Sequence, residues 1–374
     1  MGVRGAVISF CAFIVAAGTV AVAWLKQNHT RKKETDPEPD HGRKRRASFE
    51  EDRNIKRHET GEVAIHAAAT GLPVTMVGSV PDMTANWAAK VAVNEETQRD
   101  PDELARAYTN MAQQIFLDGG LNLPAIEAQR QFYDDLDSTH PTPLRYEAFK
   151  VPLEKGAVRL GILRPPPALC KAASKAASAI EAVLPPGFKP HATAPESMHI
   201  TIFMTSQPAD PRPDPFNEFG GGQSRTLAEG RIPAPKPEVL AAEKDAFRTL
   251  ATQTSAPILE VHSIVFAASG TLLLCCVDTS GVLAGLRTKI RKVFPGGPVK
   301  QSSIFHVTLL RVLEPQPMKR EQLEAIHNAC QQETERLKGT QFTASSLWHV
   351  QEWQFTTVQG ELEEMPFAEA RSSS

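Results

Sequence analysis

Two short apolar stretches of this chain carry the same pair of polar side chains in the same frame: Ser197-Met198-His199-Ile200-Thr201-Ile202-Phe203 and Ile304-Phe305-His306-Val307-Thr308-Leu309-Leu310. Side chains alternate across a β-strand, so in each stretch the imidazole and the hydroxyl share one face while Ile200 and Ile202, or Val307 and Leu309, take the other. The copies stand 107 positions apart, which constrains the fold to two similar halves whose His-x-Thr faces can meet.

A lone His-x-Thr triplet means little, because short patterns recur by chance. His140-Pro141-Thr142 and His191-Ala192-Thr193 sit beside Pro141 and Pro143 or just ahead of Pro195, where a paired central strand is excluded, and both read as loop segments. The two surviving copies share matched apolar frames. Their residue types suit phosphodiester cleavage, in which one imidazole takes a proton from the attacking oxygen and a second gives one to the leaving oxygen. The candidate catalytic residues are therefore His199 and His306, with Thr201 and Thr308 donating hydrogen bonds to phosphoryl oxygens.

Strict alternation also puts Phe203 and Leu310 on the motif faces as candidate pocket walls. Phe203 either stacks on a base or packs in the core. The same counting turns Arg311 to the opposite face, as a structural charge. His262, His327 and His349 lack a repeated partner and read as surface or satisfied core residues, and Trp348 and Trp353 as packing of the last strand.

Around the motifs the pattern reads as two similar passages. Arg145–Val151 and Ala157–Arg164 look extended, a helix runs from about Pro166 to Leu184, the motif strand covers Ser197–Thr205, and a helix begins at Pro237. The second passage has strands Ile258–Ala268 and Thr271–Asp278, a Ser280-capped helix to Phe294, the motif strand Phe305–Leu313 and a helix over Pro317–Lys338. A last strand, Thr343–Phe355, closes the sheet. The expected class is α+β: two pseudo-symmetric lobes of mainly antiparallel sheet with outer helices. Ahead of them, Asp100-Pro101-Asp102-Glu103 supplies a cap, a first-turn proline and a first-turn acid before Leu104, Tyr108, Met111 and Ile115 at helical spacing. A second helix from Pro124 to about Asp137 completes a pair given no chemical role. Gln207–Pro235, rich in Pro and Gly, reads as a long loop, either a functional lid or an insertion.

The pairing resembles the two-histidine (2H) phosphoesterase superfamily over residues 145–357, and Met198–Ser206 is similar to its plant and algal branch of RNA ligase/cyclic nucleotide phosphodiesterases. That resemblance implies catalysis by His199 and His306 with Thr201 and Thr308 on the phosphate, no cofactor or metal, a nucleotide or RNA end as substrate, His306 as base and His199 as acid. An alternative within the resemblance is a nucleotide- or RNA-binding module without turnover.

A formal charge of −2 excludes a strongly basic nucleic-acid-coating protein, so RNA contact is expected only in a groove. The five cysteines match neither a zinc spacing nor a disulfide framework and read as reduced thiols. Gly5–Leu25 is an uncharged, mostly apolar run of 21 residues, long enough for one N-terminal transmembrane helix. Lys26, Arg31, Lys32 and Lys33 follow it against Arg4 before it, which places the rest of the chain in the cytosol. Ala21-Val22-Ala23 supports the competing reading of a cleaved signal peptide. The expected organisation is an anchor over 1–25, a polar tether over 26–94, a helical extension over 95–144, the phosphoesterase domain over 145–357 and a tail over 358–374. Within the tether, Gly42-Arg43-Lys44-Arg45-Arg46 reads as a solvated charge run, a patch for anionic lipid or an import signal.

Overall fold

The structure is a computed structural model that describes residues 101–138, 140–218 and 231–368. The anchor expected over 5–25 and the tether over 26–94 lie outside the described residues. Among the described residues no helix is long and apolar enough to cross a membrane.

Helices α1 (Pro101–Leu117) and α2 (Leu123–Arg130) come first, then strands β1 (Tyr133–Asp134), β2 (Thr142–Pro143) and β3 (Val158–Leu163). Helix α3 (Pro167–Glu181), β4 (His191–Ala192), β5 (Ile200–Ser206) and α4 (Pro237–Thr252) follow. The hairpin of β6 (Ile258–Phe266) and β7 (Thr271–Asp278) leads to α5 (Val282–Val293), β8 (Phe305–Arg311), α6 (Arg320–Leu337), β9 (Gln341–Thr343), β10 (Ser346–Glu352) and β11 (Gly360–Pro366).

Among the described residues nine strands form one curled antiparallel sheet in the order β11-β10-β3-β5-β8-β7-β6-β9, with β4 paired to the end of β8. The class is α+β. Helices pack on the sheet: α1 and α6 on β6, α3 on β8, α4 across β10 and β11, and α5 against β5. Leu104, Tyr108, Met111 and Ile115 recur at the helical period and are buried in the main core, so α1 is part of the domain rather than an appendage. Strand β7, TLLLCCVD, is buried along its whole length, as a run apolar on both faces must be. Gly161 in β3 has no side chain because the ring of Phe247 from α4 would lie 2.7 Å from a Cβ there.

Several local expectations are amended. Tyr146–Ala148 turns as a 3-10 helix, and Gly360–Pro366, within the expected tail, forms the edge strand β11. Asp278 rather than Ser280 supplies the side chain that holds the start of α5. Its carboxylate accepts from the Leu283 N–H at 2.7 Å and the Gly281 N–H at 3.1 Å, which offsets the orphan donors of that helix end. His191–Ala192, read as loop, forms the short strand β4 opposite Arg311 and Leu310.

One polar cluster lies inside the core. The Arg159 guanidinium meets the Glu243 carboxylate at 2.8 Å, and that carboxylate also accepts from the Thr205 hydroxyl and pairs with His349 Nε2 at 3.0 Å. Burial alone would raise the Glu243 pKa, but Arg159 and these hydrogen bonds hold it at about 2. His349 is thus a core residue held through Nε2, while its buried Nδ1 makes no hydrogen bond among the described residues.

Candidate active site

The two motif strands are neighbours at the centre of the sheet, yet they share one residue pair, Ile200 opposite Val307. Counting outward from that antiparallel pair sets His199 across from Thr308 and Thr201 across from His306. Ile200 and Val307 are buried on the far face. All four polar motif side chains line one cavity of about 580 Å³.

Beyond the shared pair β5 and β8 diverge, and backbone groups of central strands must then find other partners. Two side chains fill the split. The buried Arg287 of α5 donates to the carbonyls of Ile202 at 3.0 Å, Thr201 at 3.1 Å and Ile304 at 3.2 Å, and stacks over Phe305 at 4.2 Å. Gln301 accepts from the Met204 N–H at 2.8 Å and donates back to its carbonyl at 2.9 Å, imitating a strand. Arg287 thereby ties together the backbones that carry both motifs.

Each motif strand is interrupted by a β-bulge one residue after its threonine. Opposite β3, Thr201 pairs with Ile162 and Phe203 with Gly161, so Ile202 is the extra residue; opposite β7, Thr308 pairs with Leu273 and Leu310 with Leu272, so Leu309 is extra. An inserted residue reverses the alternation downstream. Phe203 and Leu310, expected as pocket walls, are therefore turned away into the core. Phe203 is 1 % exposed beside Phe294 and Arg291, and Leu310 is 0 % exposed. The same reversal brings Met204 and Arg311 into the cavity lining, against the expectation that Arg311 faces away. Alternation on β7 agrees: Leu273 and Thr271, two apart, face Thr308 and Arg311 and both line the cavity.

Arg311 is the residue that sequence reasoning missed. Its Nη1 donates to Gln129 Oε1 of α2 at 3.1 Å, while its buried Nε makes no hydrogen bond among the described residues. Gln129 is itself fixed by a 3.0 Å bond to the Ser269 carbonyl. The helical pair, given no chemical role from sequence, thus orients the cavity's guanidinium through α2. It also braces the second motif through α1, where the Tyr108 hydroxyl donates to the Cys276 carbonyl at 2.6 Å and accepts from the Phe305 N–H at 3.3 Å, one residue before His306.

The two imidazoles differ. His199 Nδ1 lies 2.8 Å from the Ser197 carbonyl, which assigns the proton to Nδ1 in the neutral ring and leaves Nε2 for the cavity. His306 Nδ1 is buried and makes no hydrogen bond among the described residues. Burial, then Arg311, His199 and Arg287, push the His306 pKa down to about 3. Burial and Arg311 also lower that of His199, opposed by the Ser197 carbonyl. Two neutral imidazoles, two hydroxyls and a guanidinium therefore converge on a space suited to an anion.

The cavity continues past the motifs. Gln207–Asp210 and Arg212, at the start of the long loop, and Val299–Ser303 form one side; Tyr146, Glu352, Phe355 and Thr356 form another. Thr193, part of a triplet set aside from sequence, lines it as well. His262 and His327 line a separate groove of about 660 Å³ between α1 and α6. Among the described residues no three His, Cys, Asp or Glu side chains gather as a metal-ligand set.

No family model matches the chain and no curated protein matches it. Among solved structures the chain is similar to TT0787 of Thermus thermophilus, with 11% identity and a TM-score of 0.34 over 56% of this chain and 98% of the other. It is similar to ATU0111, a conserved protein of unknown function from Agrobacterium tumefaciens str. C58, with 13% identity and a TM-score of 0.37 over 63% and 98%. It is also similar to Usb1 of Kluyveromyces marxianus, with 13% identity and a TM-score of 0.35 over 57% and 99%. Likenesses this distant bear no functional argument, which rests on the cavity.

Proposed function

We propose that this chain is a phosphodiesterase of the two-histidine kind, with two motif-bearing lobes, acting without a metal on cyclic phosphate or 2′,5′/3′,5′ phosphodiester bonds of nucleotides or RNA ends. The observation that carries the reading is the convergence of His199, Thr201, His306 and Thr308, from strands 107 positions apart, on one cavity about a single strand pair.

For a 2′,3′-cyclic phosphate, His306, neutral at working pH, takes a proton from water as its oxygen attacks phosphorus. The phosphorus–oxygen bond to the ribose breaks, and His199 delivers its Nε2 proton to the departing oxygen. Burial and, beyond it, the cations Arg311 and Arg164 disfavour protonation of His199; an entering phosphate offsets the cations, which is how that ring acquires the proton it gives. Thr201 and Thr308 donate to the non-bridging oxygens, and Arg311 balances their charge. Residues 5–25 are proposed to hold this domain on the cytosolic face of a membrane.

The test is full-length protein incubated with 2′,3′-cyclic nucleotides, cyclic-ended RNA and 2′,5′-linked oligonucleotides. Turnover is expected, and its loss with retained binding in His199→Ala and His306→Ala. Turnover unaffected in both variants would remove the reading. Binding without turnover in the unmodified chain would replace it with a nucleotide- or RNA-binding module.

A further inference from the structure

One wall of the cavity is made by residues that the phosphate chemistry does not use. Loop Trp353–Gln359 joins β10 to β11, and two of its residues, Thr356 and Val358, stand at φ of 55° and 50°. Side chains branched at Cβ rarely adopt that left-handed backbone, and where they do the surroundings enforce it, most often around functional sites. The enforcing group is Glu352, 5 % exposed, whose Oε1 accepts from the Val358 N–H at 2.9 Å and whose Oε2 accepts from the Tyr146 hydroxyl. The Phe355 N–H is bonded to the Leu144 carbonyl at 3.1 Å and the Thr357 N–H to the Gln354 carbonyl at 3.3 Å. These loop amides are directed into the protein, so the wall has no nest of donors for an anion.

What lines the cavity there is uncharged or acidic: the half-buried Thr356 and Thr193 and the buried Tyr146, Phe355 and Glu352. Phe355 is fixed by stacking on Phe132 at 4.6 Å and by an edge contact with Tyr133 at 5.8 Å. The cationic lining, Arg311, Arg212 and Lys300, comes from other segments.

We propose that the Glu352-clamped loop and Tyr146 form the specificity wall of the cavity, taking the uncharged nucleoside part of the diester, its base and free ribose hydroxyl, and rejecting a second phosphate there. The substrate class rests on the phosphodiesterase reading, whereas the binding preference can be measured without turnover. Burial pushes the Glu352 pKa up to about 7, so at neutral pH and above a growing fraction carries the negative charge that a second phosphate would meet. Glu352 acts through the loop it clamps and is a positioning residue; Thr356 touches the ligand.

The experiment is calorimetric titration of the full-length chain with three probes: adenosine 2′-monophosphate, ribose 2-phosphate, which lacks the base, and adenosine 2′,5′-bisphosphate. The nucleoside monophosphate should bind at least about fivefold more tightly than the base-free sugar phosphate, the low end of what a base contact contributes. The bisphosphate should gain nothing over the monophosphate. In Thr356→Gly, which accepts positive φ without a side chain, and in Glu352→Ala, the monophosphate-to-sugar-phosphate ratio should fall toward one, with Glu352→Gln restoring part of it by keeping a hydrogen-bonding anchor. Equal binding of the first two probes, tighter binding of the bisphosphate, or an unchanged ratio in both variants would overturn the proposal. Should Glu352→Ala fail to fold, the Thr356→Gly ratio decides. A full binding preference in a chain that turns over no diester would break the enzymatic reading and leave this one standing.

Discussion

The two motif strands hold the same residues in the same order and give them different surroundings. His306 lies within β8, paired to Cys275 on β7, with a buried Nδ1 lacking a hydrogen bond. His199 stands one residue ahead of β5, on the exit of a 3-10 turn over Pro195–Ser197, with Nδ1 on the Ser197 carbonyl. Both pKa values fall, but that of His306 falls to about 3 while the Ser197 carbonyl opposes the fall of His199. Environments that push two titratable groups apart mark which serves as base and which as acid. A duplicated motif is thus made asymmetric by backbone context, and under the proposed chemistry the asymmetry assigns the roles that the residue types leave open.

The largest expected effect is loss of the pair itself. His306→Ala and His199→Ala should each lower turnover by about 10²–10⁴-fold, the usual worth of a positioned proton-transfer group. Next is Arg287→Met. Leaving the Thr201, Ile202 and Ile304 carbonyls without their shared donor should let the strands shift, lowering kcat by about 10²-fold, the scale for a displacement near 1 Å. Stability should drop by about 1–3 kcal/mol for each carbonyl that finds no new partner, seen as a lower denaturation midpoint. A variant that melts earlier but keeps its kcat would show that the strands need no tie.

The pH profile reads out the two imidazoles separately. In the free enzyme kcat/KM should rise as His306 loses its proton, near pH 3, and fall as His199 loses its own, below its ordinary value of 6.5. The optimum is therefore expected on the acid side of neutrality, and one at pH 8 would break the assignment. Arg311→Met removes a cation that lowers both rings, so both limbs should move to higher pH together. The smallest effect is expected from Phe203→Leu. As a core residue it should cost less than about 1.5 kcal/mol if the core repacks and leave KM within about twofold. A large rise in KM would restore it as a pocket wall.

Much of this fold was legible because it follows from period. The helical spacing of Leu104, Tyr108, Met111 and Ile115, the apolar run of β7 and the alternation through Thr201 and Thr308 all read correctly into the structure. Legibility ended one residue later in both strands. A bulge at Ile202 or Leu309 is decided by the partner strand's register, and neither residue differs locally from one in a regular strand. Phe203, Leu310 and Arg311 were misplaced for that single reason. The cap on α5 failed similarly, since the spacing points to Ser280 while the carboxylate of Asp278 reaches further along the turn. The bond from Gln129 to Arg311 joins residues 182 positions apart, and no local pattern announces it.

The twin bulges also bear on any attempt to move this arrangement elsewhere. A designer who grafted His-x-Thr onto two uninterrupted strands would reproduce four side chains but aim the fifth, the guanidinium, at the wrong side of the sheet. Deleting Leu309 from the native chain should straighten the strand and leave Leu310 opposite Leu272 and Arg311 opposite Thr271, so the cavity keeps its guanidinium, whereas a regular strand that retains Leu309 would lose it.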